Sequence, residues 1–250
     1  MGSGMTEAIV AAAKIQPGQR VLDVACGTGE PAISIAHLLK GCGEVVGVDI
    51  SPAPLEIASK RAEHRGLGNV RFEQADAHRL PLPDESFDRV TSRLGIMFFD
   101  DVGNALREMH RVLKPGGRIA LLTWGVMGQP YFSSTIGTLL RIFPGSDMPA
   151  AARKMFAFGQ PGLLAGKLRA AGFSAVDEKF LTVPWTWPGT PQEVWEYFKE
   201  VTIPFSPLIK SVPPERQAEV DGAVVAAIAQ YAEGGEVRFT AKVNLTTARK

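Results

Sequence analysis

Cysteine is nearly absent from this 250-residue chain: Cys26 and Cys42 are its whole complement. Two thiols build no disulfide framework, and such sparse usage fits a reducing compartment. An excess of either charge is lacking too, since 27 Lys and Arg stand against 26 Asp and Glu for a formal net charge of +1. A dedicated nucleic-acid binder shows a basic excess or stripe, so no nucleic-acid partner is expected. No apolar run reaches the ~18 residues needed to cross a bilayer, and no charged start with an apolar middle marks a secretory signal. The expectation is a cytoplasmic protein with no membrane partner. Metal-ligand spacing of His, Cys and Asp is missing, and so is the signature of a Ser/His/Asp hydrolase. His37, His64 and His110 fall on predicted helices. Only His78 falls near the candidate site, and it is not assigned as a base.

What is present is ordinary globular material: 45% hydrophobic and 21% charged residues. The length suits one large α/β domain, or a core with a smaller appended cap. Met1-Gly2-Ser3-Gly4 reads as an appended leader ahead of Met5. A helix over residues 6–16 is expected, with Thr6 as its N-cap, stopped by Pro17-Gly18. Five strands alternate with helices from there: 21–25, 44–49, 70–75, 87–92 and 118–124, the last entered through a turn at Pro115-Gly116-Gly117. Short connections between alternating strands and helices predict right-handed βαβ units and a parallel sheet. Beyond about residue 125 the pattern loosens. Helices are expected at 131–143, 162–171 and 214–231, with strands at 175–183 and 236–248. Residues 184–234, rich in proline and aromatics, are the candidate cap insertion. The core domain would then comprise residues 5–183 and 235–250.

The sharpest feature is Val21-Leu22-Asp23-Val24-Ala25-Cys26-Gly27-Thr28-Gly29-Glu30-Pro31-Ala32, set between a strand and a helix. Glycines there let a ligand approach the backbone at the carboxyl end of the sheet. Gly27-x-Gly29-x-x-Ala32 also satisfies the dinucleotide fingerprint, a weak match when alone. A pyrophosphate needs free N–H groups at the helix N-terminus. Pro31 removes one donor, and Asp23 and Glu30 add negative charge. A ligand without phosphate and with positive charge suits that loop better, and S-adenosylmethionine is one. Asp23 also serves as a cap for the loop's N–H groups, and both readings can hold together. Asp49 ends the second strand 20 residues past Gly29, where an acid accepts hydrogen bonds from ribose hydroxyls; Ser51 is the better N-cap for the helix that follows. Asp76-Ala77, after the third strand, offers a carboxylate to an adenine amino group, or simply caps a turn.

Together these residues resemble the class I S-adenosylmethionine-dependent methyltransferases. Val21 to Gly29 resembles their first motif, and Asp49 matches the acid that ends their second strand. Gln74-Ala75-Asp76-Ala77 with Leu80-Pro81-Leu82-Pro83-Asp84-Glu85-Ser86-Phe87-Asp88, and Leu106 through Gly117, are similar to the later motifs. Their order and spacing match the ubiquinone/menaquinone-biosynthesis-like group of small-molecule methyltransferases, strongly over residues 5–125. The resemblance implies a Rossmann-like, doubly wound seven-stranded sheet, mostly parallel, with an antiparallel last strand. It implies that Asp23 and the loop Ala25, Cys26, Gly27, Thr28 and Gly29 hold the methionine part of S-adenosylmethionine. Asp49 and Ile50 would hold the ribose, Asp76 and Ala77 the adenine, and Ser92, Arg93 and Leu94 would face the sulfonium side. The family usually carries a helical lid before the first motif, and here only a short stretch precedes it. The lid is then expected to be truncated, engineered away or supplied by a partner chain.

Nucleic-acid amino-methylating enzymes resemble one another in an Asn/Asp-Pro-Pro-aromatic tetrad, where this chain has Ser92-Arg93-Leu94-Gly95. A small acceptor is expected instead. Met97-Phe98-Phe99, Trp124, Tyr131 and Phe132, and the cap aromatics Trp185, Trp187, Trp195, Tyr197 and Phe198 suit an apolar or aromatic one. Any one of these aromatics is as readily core. Two other readings stay open: an NAD(P)-dependent oxidoreductase using the same first βαβ unit, and a non-catalytic cofactor-binding module.

Overall fold

The computed structural model describes residues 3–144 and 147–250. In chain order its elements are α1 (Ser3–Ala13), β1 (Arg20–Val24), α2 (Ala32–Leu39), β2 (Glu44–Asp49), α3 (Pro52–His64), β3 (Val70–Gln74), β4 (Phe87–Arg93), α4 (Val102–Val112) and β5 (Leu113–Trp124). Then come α5 (Pro130–Ser134), α6 (Ile136–Ile142), α7 (Ala150–Lys154), α8 (Leu163–Ala170), β6 (Ser174–Pro188), α9 (Pro191–Val201), α10 (Ser206–Lys210), α11 (Gln217–Ala229), β7 (Ala232–Glu233) and β8 (Glu236–Arg249).

The sheet runs β3-β2-β1-β4-β5-β8-β6, with the two-residue β7 paired to β8. Strands β1 to β5 pair in parallel. β8 is antiparallel to both β5 and β6. The last strand is thus the antiparallel one, as expected. The chain winds outward from β1 to β3, then returns to β4 on the other side of β1. The carboxyl ends of β1, β2 and β4 therefore meet at the switch point where open α/β sheets bind ligands.

Apolar runs in the central strands follow from burial on both faces. Leu22, Phe87, Val90, Ile119 and Leu121 have no exposed surface. Helix α4 is amphipathic, burying Ala105, Leu106, Met109 and Val112. The Asp101 side chain caps it by accepting from Asn104 N at 2.9 Å. The outer face of α4 fastens the loop after β3. Arg111 donates to Leu80 O at 2.9 Å and Leu82 O at 2.8 Å, while Glu108 accepts from Leu80 N at 2.9 Å. That clamp is what the Leu106–Gly117 motif does structurally.

Several expected boundaries move. Helix α1 starts at Ser3, so Ser3 and Gly4 of the supposed leader are helical and Thr6 is buried inside it rather than capping it. A Cβ on Gly4 would stand 2.5 Å from Pro184 O, so the helix backbone meets β6 directly. Arg118 Nε donates to Ala12 O at 2.8 Å and Arg89 Nε to Ala13 O at 2.9 Å, tying the C-terminal carbonyls of α1 to the sheet. The single helix expected over 131–143 is two, broken at Thr135 (φ −92°, ψ −94°), whose hydroxyl donates to Tyr131 O at 2.6 Å. β5 begins at Leu113, before the expected turn. β6 runs on to Pro188, so residues 184–188 belong to the sheet; Pro184 is tolerated because β6 is an edge strand. Helices α5, α6 and α9 all contact α11, so the helical layer draws on residues before 184 as well as after. No helix among the described residues is long and apolar enough to cross a membrane.

Candidate functional site

The loop after β1 is built from left-handed backbone. Gly27 (φ 51°) and Gly29 (φ 102°) flank Thr28, and Ala25 adopts φ 56° despite its side chain. A Cβ on Gly29 would lie 2.6 Å from Ile33 Cδ1, so this glycine is also needed for close packing of α2. Cys26 acts through its backbone: its N–H donates to Val48 O at 3.0 Å, and its carbonyl accepts from Gly29 N at 2.9 Å. Its thiol is buried, which pushes its pKa up. Asp49, at the end of β2, reaches across to the loop. Its Oδ2 accepts from Gly27 N at 2.9 Å and its Oδ1 from Ser51 N at 3.0 Å. Ser51 occupies the N-cap of α3 but makes no side-chain cap bond, so Asp49 is engaged rather than freed. An ionised carboxylate has about four acceptor sites, so each oxygen keeps one for a ligand.

Asp23 is fully buried under the loop. Its Oδ1 accepts from Thr91 Oγ1 at 2.8 Å and its Oδ2 from Ala32 N at 3.2 Å. It pins β1 to β4 and to the start of α2, which is the capping role, and it lines neither of the two cavities at the carboxyl ends of the strands. Burial raises its pKa from the usual carboxylate range to about 7, against the lowering pull of those hydrogen bonds and of Arg93. A carboxyl raised in the folded state favours folding when protonated. Its contribution is full below the unfolded value near 3.8 and is lost as pH rises through about 7. Asp76, Asp88 and Glu108 are shifted the other way by their hydrogen bonds, and they act below that window. His110, whose pKa burial lowers, acts the opposite way inside the window but equally in both chains, so we predict that the melting temperature of the unaltered chain rises relative to that of Asp23→Asn as pH falls from 8 to 5. Parallel profiles for the two would contradict the assignment.

Two cavities open at the carboxyl ends of the strands. One, of about 330 Å3, is lined by Ala25, Asp49, Ile50, Ala75, Asp76, Ala77, His78, Leu94, Gly95 and Phe99 among others. Asp76 is half exposed there. Its Oδ1 accepts from His78 N at 2.9 Å and faces His78 Nδ1 at 2.7 Å, and the His78 backbone bond above all holds its pKa down. His78 Nε2 accepts from Asp101 N at 3.2 Å, which fixes the proton on Nδ1. The other cavity, of about 500 Å3, is mostly aromatic and apolar: Met5, Trp124, Tyr131, Phe132, Trp185 and Tyr197 form its walls. Thr28, Glu30, Arg61 and Arg93 make one polar end. Leu94 and Phe98 line both cavities and are the partition between them. Leu94 is held at φ 61°, a conformation that costs of order 1–3 kcal/mol for such a side chain.

Of the residues singled out in the sequence, Ala25, Asp49, Ile50, Asp76, Ala77 and Leu94 come together around the smaller cavity. Thr28, Arg93 and Leu94 reach the larger one. Asp23, Cys26, Gly27, Gly29 and Ser92 line neither. Ser92 is buried and its hydroxyl has no partner. Phe99, expected on the acceptor side, lines the smaller cavity instead, while the use of Gly95 and the pairing of His78 with Asp76 were missed; two-residue spacing was the only available sign of that pairing. Arg61, whose place opposite the loop depends on how α3 docks, was missed as well. Of the cap aromatics, Trp195 and Phe198 are core, whereas Trp185 and Tyr197 line the larger cavity. Met5 does so as well, so the short N-terminal helix contributes to the site. Among the described residues no group of three or more His, Cys, Asp or Glu could hold a metal ion.

Comparison with known proteins follows the same geometry. A family model described as a methyltransferase domain matches residues 22–121. The chain is 41% identical over 140 residues to the ubiquinone/menaquinone biosynthesis C-methyltransferase of Ectopseudomonas mendocina, a match covering 56% of this chain and 53% of that protein. It thus spans about half the length of that relative. It is 39% identical over 169 residues to a demethylmenaquinone methyltransferase of Thermus thermophilus, covering 62% of this chain and 74% of that protein. The crystal structure of the YcgJ protein from Bacillus subtilis shares the fold, with a TM-score of 0.63 at 23% identity over 98% and 97% of the two chains. The domain match begins on β1 and ends on β5, around both cavities, and the Thermus protein is matched over most of its length: the chain belongs to the class I S-adenosylmethionine-dependent methyltransferases of the ubiquinone/menaquinone-biosynthesis type, a family of enzymes.

Proposed function

We propose that this chain methylates a small apolar or aromatic acceptor, with S-adenosylmethionine in the smaller cavity and the acceptor in the larger one. The observation that carries this reading is the pairing of two cavities across Leu94 and Phe98, one flanked by carboxylates and the other by aromatics. Asp49 and Asp76 flank the smaller cavity, and no Lys or Arg lines it among the described residues. Those acceptors suit ribose hydroxyls and an adenine amino group and repel a pyrophosphate. Ala25, Ile50, Ala77 and Phe99 supply flat apolar walls for an adenine ring. S-adenosylmethionine, when bound, supplies an electrophilic methyl on a sulfonium for in-line displacement.

The protein's own part is then to orient and to exclude water. Ala25 and Leu94, both in left-handed conformation, set the width of the passage between cavities. Met5, Trp124, Tyr131 and Trp185 wall the acceptor side from solvent. Burial raises the Tyr131 pKa against the lowering pull of Thr202, so Tyr131 acts as a neutral donor or acceptor rather than as a phenolate. The cap in this reading is a helical layer of α5, α6 and α9 to α11, and the compartment remains the cytoplasm expected from the sparse thiols.

Thermal unfolding with S-adenosylmethionine, S-adenosylhomocysteine and NAD, beside Asp49→Ala, tests this. A ligand at 100 times its Kd stabilises by about 2.7 kcal/mol, a shift of roughly 5–10 °C for a chain of this size. A shift with either adenosyl compound, sharply reduced in Asp49→Ala, is expected. A shift with NAD alone would sink the reading.

A further inference from the structure

Arg93 is left over by the arrangement described so far. It ends β4, is partly buried, and lines the polar end of the larger cavity. The nearby carboxylate is spoken for: Glu30 Oε2 accepts from Ser34 Oγ at 2.6 Å, and its Oε1 pairs with Arg61 at 3.4 Å and Arg65 at 3.5 Å. Asp23 is taken by Thr91 and Ala32. Arg61 itself is turned to the backbone of the loop, at Thr28 O. Arg93 keeps one long bond, Nε to Glu30 O at 3.4 Å, and forms no ion pair among the described residues. Its two Nη groups therefore present a free fork to a cavity whose remaining walls are mostly apolar. Asp23 and Glu30 balance its charge only at a distance, so the guanidinium keeps its planar fork for a carboxylate that can take two parallel hydrogen bonds.

We propose that Arg93 is an anion anchor, pairing with a carboxylate carried into the site by a ligand. The inference rests on the two-cavity reading above. One chemistry has two sources here: the α-carboxylate of the cofactor, or an acid group on the acceptor. Partial burial inside the cavity makes either pair stronger than it would be at an open surface.

The test compares S-adenosylhomocysteine with 5′-methylthioadenosine, which keeps the adenosine and thioether but lacks the amino acid, by calorimetry on the unaltered chain, Arg93→Met and Arg93→Lys. 2-Naphthoate and 2-naphthalenemethanol probe the aromatic cavity in parallel. If the cofactor is the source, Arg93→Met weakens S-adenosylhomocysteine by roughly 10- to 100-fold and leaves methylthioadenosine unchanged, with Arg93→Lys recovering part of the loss. If the acceptor is the source, both adenosyl ligands are unaffected and the preference for naphthoate over its alcohol disappears. The ligand-free Arg93→Met chain melts about as high as the unaltered one, because Arg93 closes no ion pair among the described residues. A lower melting temperature with equal weakening of both adenosyl ligands would make Arg93 a structural pin and overturn the proposal, and so would unchanged binding of all four probes. If the unaltered chain binds neither adenosyl compound, the cofactor reading fails, and the naphthoate pair still decides Arg93.

Discussion

Replacing Gly95 with alanine is expected to disable adenosyl-ligand binding while leaving a folded chain. Gly95 has ordinary helical backbone angles, φ −98° and ψ −49°, so no conformational privilege requires glycine there; space does. A Cβ at this position would lie 2.4 Å from the Ala25 Cβ and 3.0 Å from Ser92 Oγ, where carbon atoms ordinarily rest about 3.5–4.0 Å apart. Ala25 has nowhere easy to retreat. It is already held at φ 56°, and the next residue is bonded to Val48 O. The added methyl pushes the glycine loop by about 1 Å and strains the Gly27–Asp49 bond, so overpacking should cost roughly 1–3 kcal/mol. Affinity for S-adenosylhomocysteine should fall by roughly 10- to 100-fold as aligned hydrogen bonds are lost. Gly222→Ala is the counter-case. Gly222 is exposed within α11 and nothing lies within 4 Å of an added Cβ. There the same change should stabilise by roughly 0.5–1 kcal/mol through helix propensity and leave binding alone. Denaturant unfolding and calorimetry on both variants check the pair, and similar behaviour of the two would refute the crowding argument.

Gly95 also marks where reading the sequence stops. The half of the fold from β1 to β5 is legible because its signals are local. Runs such as Val45-Val46 in β2, glycine or proline at the breaks, and an acid at or just past the ends of β2 and β3 fall in a fixed order that the family's motifs share. Asp49 and Asp76 could be placed for that reason, since position along a strand and position at the sheet edge are the same thing. What escaped depends on contacts between distant segments. The use of Gly95 is set by Ala25, seventy residues earlier. Asp23 resembles a ligand-facing acid in sequence, and only its bond to Thr91 on the neighbouring strand shows it to be a buried pin. Pro184 and Trp187 look like loop residues, yet pairing with β8 carries β6 through them. Thr135 interrupts a periodic apolar segment for which 3.6-residue spacing gives no warning. The N-terminal helix is too short to suggest a role in the site until its packing on β4, β5 and β6 brings Met5 to the cavity wall.

The cap supplies the largest expected loss of stability, and with it a way to separate the two halves of the site. Trp195 on α9 has no exposed surface. Its ring stacks on Phe198 with centroids 5.5 Å apart, Lys199 Nζ lies over it at 5.6 Å, and its Nε1 donates to Asp221 Oδ1 at 2.7 Å. It therefore joins α9 to α11 by both packing and a charge-assisted bond, while α9 itself is started by a capping box between Thr190 and Glu193. Trp195→Ala should cost about 3–5 kcal/mol, a fall in melting temperature of roughly 6–20 °C for a chain of this size. Trp195→Phe should lose much less, since most of the volume stays and Asp221 keeps Gln217 Nε2 at 2.9 Å. No residue of α9 to α11 lines the smaller cavity, whereas Tyr197 and Val201 of α9 line the larger one. Below its own melting point, Trp195→Ala should therefore bind S-adenosylhomocysteine within about twofold of the unaltered chain, a difference under 0.5 kcal/mol, while the melting shift from an aromatic ligand such as 2-naphthoate is lost. If the adenosyl ligand were lost together with the aromatic one, the two cavities would be a single cooperative site and the cap would be part of the cofactor's binding apparatus.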